Sequence, residues 1–180
     1  LNLYDSDLRY SSRHIDRLFD FLQSIDLWAD TNIIFTSDHG EEFYDHGEYF
    51  HRNLPYDELI QVPLITKAEN IPEGVVVEDR ELLDVAPTVV DLHGGNPDAN
   101  GFRGTHLAEG NSRSIITLGA AMYEEQVVGI RSDGWKYIHT ESENLLFDLG
   151  SDPRERESVA DEHPEQIREL QSIVPEELYK

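Results

Sequence analysis

Apolar residues recur at helical spacing near the start of the chain, at positions Ile15, Leu18, Phe19, Leu22 and Ile25. Charged side chains fill the positions between them, so one side of the segment is apolar and the other is polar. This spacing predicts an amphipathic helix from about residue 5 to residue 24.

A short apolar run, Asn32-Ile33-Ile34-Phe35, follows this helix and ends in the polar stretch Thr36 to Glu41. Such a run between polar turn residues indicates a strand buried on both faces, as in parallel sheets that carry helices on either side. The pattern also predicts short strands at 62–66 and 75–77. A helix is predicted at 82–92, with Pro87 in its first turn. This alternation is typical of an α/β fold.

Beyond residue 110 the pattern changes to short strands, predicted at 114–118, 126–131, 135–140 and 144–149. Turn residues such as Ser132-Asp133-Gly134 separate them, which indicates an antiparallel meander. Pro164 and the apolar positions after it predict a last helix.

Asp38 and His39 stand side by side where the first predicted strand ends. Ligands of α/β folds collect beyond the carboxyl ends of the strands. A carboxylate and an imidazole can together hold a divalent cation such as Ca²⁺, Mg²⁺, Mn²⁺ or Zn²⁺. Alternatively, Asp38 is a turn or helix-capping residue and His39 an ordinary loop histidine.

The whole chain is acidic, with 37 Asp and Glu against 14 Lys and Arg, a formal net charge of −23 and lysine only at positions 67, 136 and 180. The carboxylates are spread along every segment. We expect either a halophilic protein, whose surface charges are screened by high salt, or a mildly acidic domain from a mesophile. Nucleic acids and anionic membranes are not expected as partners.

The 180 residues contain no cysteine, which rules out disulfides within them but does not identify a compartment. No apolar run reaches the roughly 20 residues that a membrane span needs. We expect a cytoplasmic location and no membrane span in this segment.

Five ordered segments together resemble the sulfatase family of the alkaline-phosphatase superfamily: Tyr4–Leu22, Ser37–Ile65, Leu82–Gly94, Arg131–Ile138 and Leu145–Arg156. The second segment contains S-D-H-G-E-E-F, D-H-G-E-Y-F-H-R and Y-D-E-L-I-Q-V-P. The resemblance is to the C-terminal half of the family. It implies that residues 1–110 belong to an alkaline-phosphatase-like α/β sandwich. Residues 111–180 would then form a small antiparallel sheet with a covering helix.

The resemblance implies a metal-dependent sulfuric ester hydrolase in which Asp38 and His39 bind Ca²⁺, Mg²⁺ or Mn²⁺. The family's nucleophile is a formylglycine made from Cys or Ser in a C/S-x-P-x-R motif, which these 180 residues lack. We therefore interpret the chain as the C-terminal part of a longer enzyme, inactive by itself, that packs against its own N-terminal half. His39 stands where many sulfatases have Asn, which leaves transition metals and phosphate esters open.

The family also places a basic side chain about four residues before the tyrosine that corresponds to Tyr56. Arg52 fits this spacing and offers a planar fork to an anion. His51 can supply a proton to a leaving group near neutral pH. The alternative for Arg52 is an ion pair with a surface carboxylate.

Two further residues are candidates for the edge of the site. His46 either lines the entrance, binds a second metal with Asp45 or Glu48, or is a structural loop residue. Arg103, in G-F-R-G-T, is a candidate contact to the organic part of the substrate, which we expect to be a small-molecule or glycan sulfate ester.

Two other functions stay open. One is a relative acting on phosphorus esters, such as a phosphonate monoester or phosphodiester hydrolase or a phosphoglycerol transferase. The other is a non-catalytic binding module that keeps the fold without the chemistry.

Overall fold

The computed structural model describes residues 2–51, 54–109, 114–120 and 126–174. Its first element is helix α1, Asn2–Ser24, which confirms the predicted helix and extends it toward the N-terminus. Phe19 on this helix packs edge-on against Trp28, with 5.3 Å between ring centroids. Lys67 donates from Nζ to the carbonyl oxygens of Trp28 and Thr31, which ties the end of α1 to the first sheet.

That sheet has two strands, β1 at Ile33–Thr36 and β4 at Leu64–Lys67, which pair antiparallel with Phe35 opposite Ile65. The expectation of a parallel strand buried on both faces is therefore wrong for the described part of the chain. Phe35 is 40 % exposed and Ile65 is 63 % exposed, because no other described element covers this face.

Between these strands the chain forms a hairpin and a short helix that the pattern did not predict. The hairpin consists of β2, Glu42–Phe43, and β3, Tyr49–Phe50, and helix α2 spans Asp57–Ile60. Glu42 is buried and accepts hydrogen bonds from the backbone N–H groups of His46 and Glu48. The buried carboxylate of Glu42 thus stabilises the turn of the hairpin through two hydrogen bonds.

The strand predicted at 75–77 is also wrong, since this segment is not a strand and Val75 and Val77 are 92 % and 86 % exposed. The predicted helix at 82–92 is confirmed. It begins as a 3₁₀ turn at Leu82–Asp84 and continues as α3, Val85–Leu92. A second 3₁₀ turn follows at Pro97–Asn100.

The C-terminal part is a four-stranded antiparallel sheet in chain order, which confirms the predicted meander. Its strands are β5 at Ile115–Ala120, β6 at Gln126–Ser132, β7 at Trp135–His139 and β8 at Asn144–Asp148. Helix α4, Pro164–Gln171, covers one face and buries Leu170 there.

The other face of this sheet carries Val127, Ile138 and Phe147, against which Leu54 and Tyr56 pack. The segment just before α2 therefore rests on the C-terminal sheet. None of the helices in the described part of the chain combines the length and apolar character that crossing a membrane requires.

Candidate metal and anion site at the end of β1

Asp38 and His39 follow β1 directly, and their side chains face each other. His39 Nε2 lies 3.8 Å from Asp38 Oδ1, and the two side chains are 43 % and 87 % exposed. Asp38 Oδ1 also accepts the backbone N–H of His39 at 3.0 Å, which holds the carboxylate beside the imidazole. The pair forms an accessible carboxylate and imidazole at a strand end.

The tautomer of His39 follows from its neighbour. Its Nδ1 lies 2.8 Å from the carbonyl oxygen of Gly40, which can only accept, so Nδ1–H is the donor. In the neutral ring the lone pair then sits on Nε2, the atom nearest Asp38. This is the arrangement usual in metal-binding histidines, whose second ring nitrogen donates to a carbonyl or carboxylate.

The spacing of these two atoms also fits a divalent ion. Metal bonds to protein nitrogen and oxygen are about 2.0–2.4 Å long, so two donors on one ion lie at most about 4.8 Å apart. The observed 3.8 Å is within that limit. Asp38 and His39 therefore suit a shared cation, with further ligands needed to complete its shell.

His51 stands next to this pair. Its ring stacks on that of His39, with 4.3 Å between centroids and 27° between planes. Its Nδ1 lies 3.8 Å from Glu41 Oε1, a buried oxygen with no hydrogen-bond partner among the described residues. The structure thus brings together Asp38, His39, Glu41 and His51, whereas Arg52, the other candidate, lies outside the described residues.

His46 does not join this group. It lies in the turn of the hairpin, with Nδ1 2.5 Å from Glu58 Oε1 and Nε2 3.0 Å from the carbonyl oxygen of Glu155. Ligand atoms of Glu42, His46 and Glu58 lie within 4.8 Å of one another, a spacing that resembles a metal site. Both ring nitrogens, however, face acceptors at hydrogen-bond distance, so both are donors and neither lone pair is available to a metal.

Comparison with known proteins decides the family. The family model described as Sulfatase matches residues 1–95, more than half of the chain. This chain belongs to the sulfatase family. Choline-sulfatase of Rhizobium meliloti (strain 1021) is 29% identical over 167 residues, covering 88% of this chain and 32% of that protein.

Two further matches agree. The multifunctional alkaline phosphatase superfamily protein PehA of Trinickia caryophylli is 31% identical over 173 residues, covering 81% of the sulfatase chain and 33% of PehA. The structure of BT1596, a 2-O GAG sulfatase, aligns with a TM-score of 0.75 at 23% identity, over 91% of this chain and 39% of that one. The sulfatase chain spans about a third of the length of the curated relatives it matches. The expected alkaline-phosphatase-like fold is confirmed.

A buried ion network connects α2 to the C-terminal sheet of this sulfatase chain. Lys136 on β7 is 1 % exposed, and its Nζ lies 2.8 Å from Asp57 Oδ1 and 2.5 Å from Glu155 Oε1. Arg131 pairs with the second oxygen of Asp57 at 2.8 Å. The backbone N–H of Asp57 donates to Glu155 Oε2. The first residue of α2 is thereby fixed to the C-terminal sheet.

Burial and charge act in opposite directions on the two acids of this network. Burial disfavours the ionised form of Asp57, but Lys136 and Arg131 outweigh it and lower the pKa of this carboxyl. For Glu155 burial outweighs Lys136, and its pKa is raised. Burial, reinforced by nearby carboxylates, also raises the pKa of Tyr56 to about 12, which keeps this phenol neutral.

The sequence indicated Asp38, His39 and His51 as candidates but gave no role to three acids: Glu41 beside them, and Asp57 and Glu155 in the buried network. Glu41 follows the motif directly and was not distinguished from the other carboxylates, while Asp57 and Glu155 gain their roles from partners far away in the chain. Arg103 is exposed in the loop that follows the second 3₁₀ turn. Its contact with a substrate stays a prediction.

Proposed function

We propose that this chain forms the metal-binding C-terminal part of a sulfuric ester hydrolase. The observation that carries the proposal is the exposed Asp38–His39 pair, in which Asp38 Oδ1 and His39 Nε2 lie 3.8 Å apart. The hydrogen bond from His39 Nδ1 to the carbonyl oxygen of Gly40 leaves the lone pair of the neutral ring on Nε2. The position of the two residues directly after a strand, in a chain of the sulfatase family, is where such a site is expected.

Asp38 and His39 would hold a divalent cation, Ca²⁺, Mg²⁺ or Mn²⁺, which would neutralise charge on the non-bridging oxygens of the ester. His51, whose ring stacks on that of His39, would give a proton to the leaving oxygen. Arg52 follows it in the chain, and its guanidinium is our candidate for binding the anion.

The nucleophile would come from sulfatase sequence outside these 180 residues, as a formylglycine in a C/S-x-P-x-R motif. Apolar side chains that no described element covers support a further part of the enzyme packing here. They include Phe35 and Ile65 on the sheet and Leu8, Leu18 and Phe21 on α1, each at least 40 % exposed. We propose that the remainder of the enzyme packs on this surface.

The names of the curated relatives favour a sulfate ester, with choline-sulfatase as an instance of a small-molecule substrate. The other substrate that we propose within this function is a glycan sulfate ester. Hydrolysis of a phosphonate or phosphate ester is the second candidate function. The imidazole of His39, at a position where many sulfatases have Asn, supports it.

The first test measures hydrolysis of matched aryl sulfate and aryl phosphate esters by the complete enzyme in which these residues occur, with Ca²⁺, Mg²⁺ or Mn²⁺. Sulfate turnover that disappears in Asp38→Asn supports the proposal, while Asp16→Asn, an exposed acid on α1, serves as the matched control. Turnover of the phosphate ester alone would establish the second candidate. Metal-independent activity would contradict both.

Metal binding by Asp38 and His39 can also be tested on the 180-residue chain, without measuring ester hydrolysis. Titration with Mn²⁺ by calorimetry should show one binding event that Asp38→Asn and His39→Ala each weaken at least about tenfold, since loss of even an outer-shell partner typically costs about 10–100-fold in metal affinity. The chain alone should not hydrolyse either ester.

A further inference from the structure

His46 connects three segments that are distant in the chain. Its two ring nitrogens contact Glu58 on α2 and the carbonyl oxygen of Glu155, 12 and 109 residues away. Its ring lies flat on that of Tyr56, with 3.6 Å between centroids and 3° between planes. Its own backbone N–H donates to the buried carboxylate of Glu42.

These partners determine the protonation of His46. The carbonyl of Glu155 can only accept, so Nε2 carries a proton. Nδ1 faces a carboxylate oxygen of Glu58 at 2.5 Å, and a carboxylate accepts, so Nδ1 also donates and His46 is an imidazolium. The side chain of His46 is 14 % exposed, which limits the screening of this pair by water.

The hairpin that His46 anchors lies between the site histidines. His39 precedes β2 and His51 follows β3, so the position of the β2–β3 turn determines how the two rings meet. The turn itself has only short strands to hold it. Within the turn, the carboxylate of Glu42 accepts the N–H groups of His46 and Glu48. The side chain of His46 connects the turn to Glu58 and Glu155.

Several contacts hold the Glu155 turn, which accepts a hydrogen bond from His46. Glu155 adopts a left-handed backbone with φ +53, which sends its side chain to Lys136 and its carbonyl to His46. Asp152 holds this turn by accepting the N–H groups of Arg156 and Glu157. The same α2 that presents Glu58 also accepts the N–H of Gly40, next to His39, at the carbonyl of Leu59.

We propose that His46 is a positioning residue: its imidazolium clamps the β2–β3 hairpin to α2 and to the Glu155 turn, and thereby holds His51 against His39 in the metal and anion site. This inference rests on the proposed function of that site. It also assigns His46 a role other than binding a second metal.

The test uses the 180-residue chain with isotope-labelled histidine. In metal-free wild type, long-range ¹H–¹⁵N spectra should show both His46 nitrogens protonated at neutral pH, and a nuclear Overhauser contact should join the His39 and His51 rings. His46→Gln should lose that contact and bind Mn²⁺ about tenfold more weakly, within the range typical of outer-shell losses. His93→Gln, at an exposed histidine that ends α3, should change neither.

Glu58→Gln keeps the shape of the clamp and removes its charge, so it provides a second variant if His46→Gln does not fold. It should weaken the ring contact in the same direction. An unprotonated His46 nitrogen that shifts on addition of Zn²⁺, or an unchanged ring contact in Glu58→Gln, overturns the proposal. Wild type that shows the ring contact but binds no Mn²⁺ contradicts the proposed function and leaves the clamp supported.

Discussion

The backbone N–H of Gly40 donates to the carbonyl oxygen of Leu59 at 2.7 Å, so the residue after the Asp38–His39 pair is hydrogen-bonded directly to α2. The approach is so close that a Cβ added to Gly40 would lie 2.0 Å from the carbonyl oxygen of Glu58. This contact explains glycine in S-D-H-G without any need for an unusual backbone angle. It also makes α2 the common support of His39 and His46.

We expect Gly40→Ala to displace the loop that carries Asp38 and His39. The clash is with backbone, which cannot rotate away, so the free energy of unfolding should fall by about 1–3 kcal/mol, as for other overpacked sites. Affinity for Mn²⁺ should fall with it. Urea denaturation and calorimetry measure the two effects. Gly150→Ala is the control, because a Cβ there would meet only one side-chain oxygen, of Asp148, at 3.2 Å and no backbone.

Metal selectivity should depend on the imidazole of His39. Calcium prefers oxygen ligands, whereas Mn²⁺ and Zn²⁺ bind imidazole nitrogen readily. His39→Asn should therefore lower the affinity for Zn²⁺ and Mn²⁺ more than that for Ca²⁺, measured by competitive titration. Equal losses for all three ions would show that His39 acts on the site without ligating the ion.

Replacing Lys136 should be among the most destabilising single changes. Lys136→Met leaves the carboxylates of Asp57 and Glu155 buried without their shared ammonium, and breaking a buried ion pair on one side costs about 3–5 kcal/mol. Urea denaturation gives the free energy of unfolding. The double variant with Glu155→Gln should recover part of the loss, and full additivity of the two changes would contradict a direct interaction.

The clamp of His46 predicts a pH dependence of stability. Burial lowers the pKa of this histidine, but the hydrogen bonds to Glu58 and to the Glu155 carbonyl outweigh it and raise the pKa above its ordinary value of 6.5. The protonated ring is favoured in the folded state, so its stabilising contribution is complete below pH 6.5 and declines as the pH rises through the raised pKa.

The measurement is the difference in unfolding free energy between wild type and His46→Gln, followed from about pH 6 to about pH 9. Subtraction removes the titration of the other histidines. The difference should be largest at the acidic end and shrink with rising pH. A difference that grows with pH would mean that the neutral ring is the bound form.

Salt should stabilise the chain because of its net charge of −23. Raising KCl from about 0.1 M to about 1 M shortens the Debye length from about 10 Å to about 3 Å and screens repulsion between surface carboxylates. The melting temperature should therefore rise in KCl. A flat response between these concentrations would favour the mildly acidic mesophile interpretation over the halophilic one.

Periodicity predicted the elements whose apolar pattern is visible within a single segment of the chain. Helix α1, helix α3 and the four-strand meander each combine a clear apolar period with turn residues at their ends. It failed at 75–77, where three valines in a row have the right composition but no partner strand among the described residues. It also missed the β2–β3 hairpin, whose strands are two residues long and are held by the carboxylate of Glu42.

The sequence by itself determined the family and the adjacency of Asp38 and His39, since a motif of consecutive residues survives any arrangement of the rest of the chain. Only the tertiary structure decided that His51 stacks on His39, that His46 faces Glu58 and Glu155, and that Lys136 meets Asp57 across 79 residues. Ion pairs and ring contacts of this kind leave no periodic signal, because their energy depends on distance in space and on burial.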